Sequence, residues 1–285
     1  MSKIWLVTGA ARGLGRSIVE AAVAAGERVV ATARDPRRLE QLQALRGADL
    51  RIFALDVTDA KAAQAAVDFA IEIFGRLDVV VNNAGYGHVT PFEQTTEADF
   101  RLQVETNFYG VVNLTRAALP AMRRQRSGYI INVSSLGGRL STPGLSAYQA
   151  AKWAVGGFTE VLAKEAAAFG VKMVAVEPGG MRTGWVAAAT DSAPKLLPDY
   201  EPSVGAKIGA MRAAVGREIG DPAKIAKVIV DLTTRDALPA HLVLGKAAMR
   251  LCSEAEAARQ AEAAEWAEIS ASTDFVDPPR SGTRQ

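Results

Sequence analysis

The sequence predicts an α/β fold in which one parallel, doubly wound sheet of seven strands carries helices on both faces. Three observations predict it: short runs rich in Val, Ile and Leu alternate with longer helical segments, the runs are almost continuously apolar, and Gly26, Gly75 and Gly170 follow helices where C-caps belong. Continuous apolarity is typical of strands buried on both faces, as in parallel sheets. Repeated strand–helix–strand units imply right-handed crossovers within one sheet.

The elements follow from these patterns in order along the chain. The predicted strands are Lys3–Thr8, Arg28–Ala33, Arg51–Leu55, Asp78–Asn82, Gly128–Ser134, Val171–Glu177 and His241–Leu244. The predicted helices are Gly13–Ala25, Pro36–Leu45, Asp59–Gly75, Thr96–Arg124, Ser146–Phe169, Ser203–Arg217, Asp221–Arg235 and Lys246–Ile269. Asp59 and Thr96 are residue types that cap helix N-termini.

The alternation of elements breaks after Pro178. Residues 179–202 contain Pro194, Pro198 and Pro202 and show no clear periodicity, which predicts a long loop of the kind that is often functional. We expect a substrate loop over about residues 183–217. We further expect a single catalytic domain over residues 1–245 and a C-terminal helical extension over 246–285, with an irregular tail from Ser270.

Composition excludes several classes of protein. The 285 residues include 33 basic and 31 acidic side chains, a net charge of +2, which argues against a nucleic-acid partner. A single cysteine, Cys252, forbids an internal disulfide, and two separated histidines make a metal site improbable. No apolar run approaches the ~18 residues of a membrane span. We therefore expect a cytoplasmic protein with neither metal nor membrane partner.

The first strand leads into a glycine-rich turn, in which Gly9, Gly13 and Gly15 precede a helix. Glycines there let the backbone approach a pyrophosphate, and the helix N-terminus offers free N–H groups and a positive dipole end. The G-x-x-x-G-x-G spacing differs from the commonest dinucleotide fingerprint. The alternative is a glycine-rich turn that binds no ligand.

Five motifs in order resemble the short-chain dehydrogenase/reductase family. They are Thr8-Gly9-x-x-x-Gly13-x-Gly15, Asn82-Asn83-Ala84-Gly85, Ser135, Tyr148-x-x-x-Lys152 and Pro178-Gly179-x-x-x-Thr183. The resemblance implies a Rossmann-like fold, a nicotinamide cofactor and oxidoreductase activity. The cofactor-binding residues that it implies are Gly9, Arg12, Gly13, Leu14, Gly15, Arg34, Asp56, Val57, Asn83, Ala84, Gly85, Tyr148, Lys152, Pro178, Gly179 and Thr183.

The end of the second strand bears on the choice of cofactor. An acidic residue there would bind the adenosine ribose of NAD and repel a 2′-phosphate. Ala33 takes this position and Arg34 follows, with Arg12 in the glycine turn as a second cation. Arginine suits phosphate, so we expect NADP(H) in preference to NAD(H). Asp35 complicates this prediction, because a shift of one residue would make it the ribose acid.

Tyr148 and Lys152 are spaced i and i+4, so that they share one face of a helix. An adjacent ammonium lowers the pKa of a phenol, which suits Tyr148 to acid–base work. The family resemblance implies that Ser135 holds the substrate oxygen and that the backbone of Asn107 holds a water. Ser134 competes with Ser135, although strand alternation would point Ser134 away.

The expected substrate is a hydrophobic ketone, aldehyde or secondary alcohol, because the candidate pocket residues are mainly aromatic or apolar. These candidates are Tyr86, His88, Leu136, Gly138, Met181, Trp185 and Tyr200. A 3-oxoacyl thioester reductase and a non-catalytic cofactor sensor are the alternatives. The resemblance implies a homodimer or homotetramer joined through Thr96–Arg124 and Ser146–Phe169. His241 is expected to be structural, and Glu177 has no expected role beyond solvation of a strand end.

Overall fold

A computed structural model of the chain describes residues 2–275, in which seven parallel strands form one sheet. The strands are β1 (Ile4–Val7), β2 (Arg28–Ala33), β3 (Leu50–Ala54), β4 (Val79–Asn82), β5 (Gly128–Val133), β6 (Val171–Pro178) and β7 (His241–Leu244). Their spatial order is β3-β2-β1-β4-β5-β6-β7. The predicted fold class is confirmed, and every predicted strand is present.

The helices cover both faces of this sheet. They are α1 (Gly13–Ala24), α2 (Glu40–Arg46), α3 (Ala60–Phe74), α4 (Glu97–Val104), α5 (Gly110–Gln125), α6 (Ser146–Ala166), α7 (Trp185–Asp191), α8 (Ala206–Ala214), α9 (Pro222–Leu232), α10 (Lys246–Glu265) and α11 (Ala267–Ala271). The predicted caps are confirmed: Asp59 accepts hydrogen bonds from the first turn of α3, and Thr96 accepts one from Asp99 N.

Strand β1 shows why the sheet is buried on both sides. Trp5 and Val7 belong to a core shared with α1 and α9, whereas Ile4 and Leu6 belong to a core shared with α3 and α5. Successive residues of a strand point to opposite faces, so a strand between two helical layers has to be apolar at every position. This accounts for the continuous apolar runs of the sequence.

Four predicted segments differ from the structure. The helix expected over Pro36–Leu45 begins with a 3₁₀ turn, Pro36–Leu39. The helix expected over Lys246–Ile269 is interrupted at Trp266, and α11 continues to Ala271, into the tail expected to be irregular from Ser270.

The helix expected over Thr96–Arg124 is divided by a π-helical turn, Glu105–Tyr109, which contains Asn107. The loop expected over 179–202 contains α7. The residue before this helix, Gly184, adopts a left-handed backbone conformation (φ 70°). Only seven residues form α7, too few to show helical periodicity. The predicted irregular tail lies largely outside the described residues.

The strand order reverses direction between β1 and β4, which places a crevice at the carboxyl ends of these strands. In open α/β sheets, ligands bind outside the strand ends at such a switch point. Within residues 2–275, no helix combines the length and the apolarity that a membrane crossing requires.

Candidate active site

One cleft of about 1020 Å³ runs along the carboxyl edge of the sheet. All the cofactor-binding and catalytic candidates named from the sequence line it, as do Tyr86, His88, Leu136, Met181 and Trp185. Two further pocket candidates do not. Gly138 faces away, because a Cβ there would lie 2.9 Å from both Lys152 O and Ser134 Oγ, and Tyr200 donates to Glu93 instead.

The glycine turn between β1 and α1 depends on all three of its glycines. Gly9 and Gly13 have positive φ angles, 66° and 57°, which side chains disfavour. Gly15 is needed for space, because a Cβ there would lie 2.4 Å from Gly9 O and 2.5 Å from Asn83 Nδ2. Such a close approach of backbone and helix is the arrangement that a pyrophosphate requires.

The N-terminus of α1 is open to an anion. Its N-cap residue, Arg12, makes no side-chain capping hydrogen bond, and the first turn contains no acidic residue. The N–H groups of that turn and the positive end of the helix dipole therefore face the cleft without a protein acceptor from the cap. Thr183 closes over the turn, with its Cβ 3.2 Å from the position of a Cβ on Gly13.

Thr8 fastens the end of β4 to the same turn. Its Oγ1 accepts hydrogen bonds from Asn83 N at 2.9 Å and Ala84 N at 3.0 Å, while Asn83 Nδ2 donates to Thr8 O at 2.9 Å. The Asn83-Ala84-Gly85 segment is therefore held beside the glycine turn.

The end of the cleft beside β2, where the adenosine end of a cofactor is expected, is mainly cationic. Arg12, Arg34 and Arg38 line it together with Asp35, and Ala33 leaves no carboxylate at the end of β2 itself. The carboxylate of Asp35 is engaged by Arg37, with Oδ1 at 2.8 Å from Nε and Oδ2 at 3.1 Å from Nη2. Arg38 is not among the residues predicted from the sequence, although the basic pair after Pro36 could have indicated a cation at this position.

Asp56 and Val57 line the cleft beyond β3. Asp56 Oδ1 accepts hydrogen bonds from Thr58 N at 3.0 Å and Thr58 Oγ1 at 2.8 Å, which forms a local turn. Val57 packs against α5, where a Cβ on Gly110 would lie 2.6 Å from Val57 Cγ2. Both residues are therefore fixed in place by protein contacts.

The candidate catalytic residues Ser135, Tyr148 and Lys152 meet in the middle of the cleft. Tyr148 is 9% exposed and Lys152 is 4% exposed. Burial raises the pKa of Tyr148, and its hydrogen bond with Ser135 acts in the opposite direction, so the pKa lowered by Lys152 that the sequence predicts is not found. Burial also lowers the pKa of Lys152 to about 8, so this ammonium remains mostly protonated at neutral pH. Lys152 Nζ lies 5.8 Å from the centre of the Tyr148 ring.

The two serines at the end of β5 have different partners. Ser134 is buried, and its hydroxyl donates to Lys152 O at 3.1 Å. Ser135 Oγ accepts from Gly137 N at 2.9 Å, which leaves its proton available toward the cleft. The neighbouring ammonium, Lys152 Nζ, donates to Val133 O at 2.9 Å.

Asn107 is fully buried in the π-helical turn. Its Nδ2 donates to Tyr86 O at 2.7 Å and to Gln103 O at 2.8 Å, whereas its Oδ1 has no partner. Asn107 Oδ1 and Lys152 Nζ both face Gly85, at 2.5 and 3.5 Å from the position of a Cβ there. An unpartnered buried acceptor beside an ammonium fits a site built for a hydroxylated ligand or water.

The substrate end of the cleft is walled by aromatic rings. The rings of Tyr148 and Trp185 lie 5.0 Å apart, and a Cβ on Gly87 would lie 2.9 Å from Trp185 Cζ2 and 3.0 Å from Tyr148 Cδ2. On the same wall, His88 Nδ1 lies 2.9 Å from Asp99 Oδ1. Gly87 is not among the site residues predicted from the sequence, because no local pattern indicates which aromatic rings pack against it.

Glu177 has a partner that the sequence did not suggest. This carboxylate is fully buried at the end of β6, and its Oε1 lies 2.8 Å from His241 Nδ1 on β7. The hydrogen bond to Glu177 raises the pKa of His241. The expectation that Glu177 only solvates a strand end is therefore wrong.

Known proteins resemble the chain over nearly its whole length. A family model described as short chain dehydrogenase matches residues 3–193. Oxidoreductase BOA17 of Botryotinia fuckeliana (strain B05.10) is 45% identical over 272 residues, which cover 95% of this chain and 98% of that protein. A crystal structure of a short-chain dehydrogenase from Streptomyces avermitilis superposes with a TM-score of 0.88 and 40% identity, covering 96% and 100% of the two chains.

A further solved structure, a short chain dehydrogenase/reductase from Burkholderia phymatum in complex with NAD, superposes with a TM-score of 0.78. It is 25% identical and the match covers 97% of each chain. Both structural matches extend beyond residue 193 and include the segments after β6 that wall the substrate end.

Proposed function

This chain belongs to the short-chain dehydrogenase/reductase family and is an oxidoreductase of that family, and from that premise we propose that it transfers hydride between NADP(H) and a hydrophobic ketone, aldehyde or secondary alcohol. The observation that carries the proposal is the meeting of Ser135, Tyr148 and Lys152 beside an open glycine turn, in one cleft.

The residues of the turn fit a bound dinucleotide. Gly9, Gly13 and Gly15 would hold the pyrophosphate, and Asn83, Ala84, Gly85 and Lys152 would hold the ribose next to the nicotinamide. The bound nicotinamide supplies the hydride for reduction or accepts it in oxidation.

The chain's own residues would move the proton. Ser135 orients the substrate oxygen, and the Tyr148 hydroxyl gives that oxygen its proton during reduction. Because burial raises the pKa of Tyr148, the phenol is protonated at neutral pH and carries the proton that reduction needs. The Lys152 ammonium would stabilise the phenolate that is left. Oxidation needs this phenolate first, and the Ser135 hydrogen bond and the positive charge of an oxidised nicotinamide would favour it, so that it could take the proton from the alcohol.

The three arginines at the adenosine end support NADP(H). Family membership alone does not select the cofactor, since the Burkholderia phymatum protein is in complex with NAD. In this chain, Arg12, Arg34 and Arg38 line the site and Asp35 is engaged by Arg37. Arginine binds phosphate through charge-assisted hydrogen bonds.

The walls of the substrate end support an apolar carbonyl or alcohol. Leu136, Met181 and Trp185 supply apolar surface, while His88 supplies a polar group. A reductase of carrier-bound 3-oxoacyl thioesters needs a basic docking patch at the mouth. Lys207 is a single cation there, so we favour a free carbonyl substrate. A cofactor sensor is disfavoured because Tyr148 and Lys152 are both present.

The test is oxidation of NADPH and of NADH against a panel of ketones, aldehydes and steroids, with both cofactor dissociation constants measured by titration. We expect turnover with NADPH and weaker binding of NADH. Arg34→Ala should raise the Kd for NADPH by about tenfold, which corresponds to one charge-assisted hydrogen bond, and should leave that for NADH within about twofold. Arg101→Ala, which removes an exposed cation elsewhere, is the control. Equal or tighter binding of NADH by the native chain would refute the NADP preference.

We also propose a homodimer or homotetramer formed through α4, α5 and α6. Leu102 in α4 and Val161 in α6 expose apolar surface, as does Tyr109 in the π-helical turn between α4 and α5. Size-exclusion chromatography with light scattering measures the mass directly, and a monomeric mass at micromolar concentration contradicts the proposal.

A further inference from the structure

Helix α10 follows the last strand, β7, and forms most of the described part of the C-terminal extension. Ala248 and Cys252, one turn apart, are buried, whereas Met249 is 59% exposed. The helix therefore packs on the body of the protein along a single narrow face.

This face of α10 contacts the turn that follows Ser135. Glu256 forms an ion pair with Arg139, and Arg259 Nη1 donates to Arg139 O at 3.0 Å. Arg139 ends the short 3₁₀ turn Leu136–Gly138, whose N-cap is Ser135. The guanidinium of Arg139 is thus bound by Glu256, while its backbone carbonyl accepts from the side chain of Arg259.

The same face also reaches the catalytic helix. The guanidinium of Arg259 lies 5.2 Å from the centre of the Trp153 ring, and Trp153 follows Lys152 directly in α6. Helix α10 therefore contacts both elements that carry the candidate catalytic residues.

At its other end, α10 abuts the Pro178-Gly179 turn. Gly179 N donates to Leu244 O at 3.2 Å, and a Cβ on Gly179 would lie 3.1 Å from Ala248 Cβ. Leu251, three residues after Ala248, lines the same cleft as Leu136 and Met181. Leu251 is 37% exposed, so that it presents apolar surface to the cleft.

We propose that α10 is a wall of the substrate site, in which Leu251 contacts the apolar part of the substrate and the Arg139–Glu256 pair positions this wall against the Ser135 turn. The inference rests on the proposed function, because it concerns the substrate end of the same cleft. It assigns the preference for substrate size to the C-terminal extension as well as to the loop after Thr183. The substrate class that it implies is a carbonyl or alcohol with an apolar group long enough to reach from Tyr148 to α10.

The first experiment compares Leu251→Ala with Met249→Ala, a matched truncation on the exposed side of the same helix. NADPH oxidation is measured with methyl ketones of increasing chain length. Loss of an apolar contact should raise KM for long ketones by about tenfold in Leu251→Ala and leave KM for short ketones, kcat and the Kd for NADPH unchanged. Met249→Ala should match the native protein. Unchanged chain-length preference in Leu251→Ala, or an equal change in Met249→Ala, overturns the inference.

The second experiment removes the charge of the ion pair with Glu256→Gln and follows amide hydrogen exchange of residues 136–141. We expect faster exchange there and a higher KM for long ketones, with kcat for short ketones preserved. Exchange identical to that of the native protein overturns the positioning role of the pair, and this readout needs no turnover.

The two proposals fail differently. If long ketones are turned over and Leu251→Ala does not alter their KM, this inference fails and the proposed function stands. If no ketone is turned over, binding of long ketones to the protein with NADP⁺ is measured by calorimetry. Absence of binding as well refutes both, whereas binding that Leu251→Ala weakens refutes only the proposed reaction.

Discussion

The two halves of the cleft are built in different ways. The cofactor half consists of backbone at the ends of β1, β2 and β4, shaped by Gly9, Gly13 and Gly15 and joined by the hydrogen bonds of Thr8. The substrate half, where we propose that the substrate binds, is lined by side chains from several separate segments, among them residues 86–88, the turn after Ser135, the 181–211 region and α10. The first half tolerates little variation because backbone atoms meet there, whereas the second can change one side chain at a time.

The centre of the cleft, where the halves meet, should give the largest effect. Tyr148→Phe removes one hydroxyl and keeps the ring that packs on Trp185. We expect kcat to fall about 10³-fold or more, since positioned proton transfer contributes about 10²–10⁴, while the Kd for NADPH stays within about twofold. Steady-state kinetics and cofactor titration measure the two quantities. A residual rate above one tenth of the native value would contradict the assignment.

Gly15→Ala tests whether the cofactor half is as rigid as its contacts imply. The added Cβ would meet Gly9 O at 2.4 Å, and backbone cannot move aside cheaply. The Kd for NADPH should rise about 10- to 100-fold, since overpacking costs about 1–3 kcal/mol. Gly157→Ala is the control, because no atom lies within 4 Å of its Cβ, and alanine in a helix should stabilise the fold by about 0.5–1 kcal/mol. An unaltered Kd in Gly15→Ala would show that the turn can adjust.

Gly87→Ala makes the corresponding change in the substrate half. Its Cβ would press on the rings of Trp185 and Tyr148 at 2.9 and 3.0 Å, and the Trp185 ring can shift. We expect kcat/KM for ketones to fall by about tenfold with the Kd for NADPH unchanged. Gly209→Ala in α8, where no atom lies within 4 Å of the Cβ, serves for comparison. Weakened cofactor binding in Gly87→Ala would mean that the halves are not separable.

The smallest expected effect concerns the pair of Glu177 and His241, which joins β6 to the edge strand β7. Because Glu177 raises the pKa of His241, protonation stabilises the fold fully below the unfolded pKa, about 6.5, and this stabilisation is lost as pH rises through the higher folded value. Glu160 faces the same imidazole at 3.6 Å, and the charge of Arg139 opposes its protonation.

His241→Asn should therefore lower the melting temperature by about 2–4 °C at pH 6 and by less at pH 9. Thermal melts across this range measure the difference. Glu177→Gln should also lower the melting temperature more at pH 6 than at pH 9. A difference that grows with pH would reverse the sign and refute the pairing.

The parallel sheet of seven strands, the glycine turn and the i, i+4 pair of Tyr148 and Lys152 could all be predicted, because each is recognised from residues close together in the chain. The spatial order of the strands was not predicted, since it depends on the crossover connections. The position of Asn107 in a helix was also predicted, but its π-helical turn was not, since tertiary packing around Gly85 and Tyr86 favours that distortion. Glu177 and His241 are 64 residues apart in sequence, and only the pairing of β6 with β7 brings them together.

The sequence by itself determined the fold and the types of residue at the centre of the cleft, because continuous apolar runs, glycines and helical spacing are local properties of the backbone. Only the tertiary structure decided what surrounds that centre: Gly87 beside Trp185, and Leu251 in the lining of the cleft. These contacts join segments far apart in the chain, and the crossover connections of the sheet, rather than any local pattern, bring their side chains together.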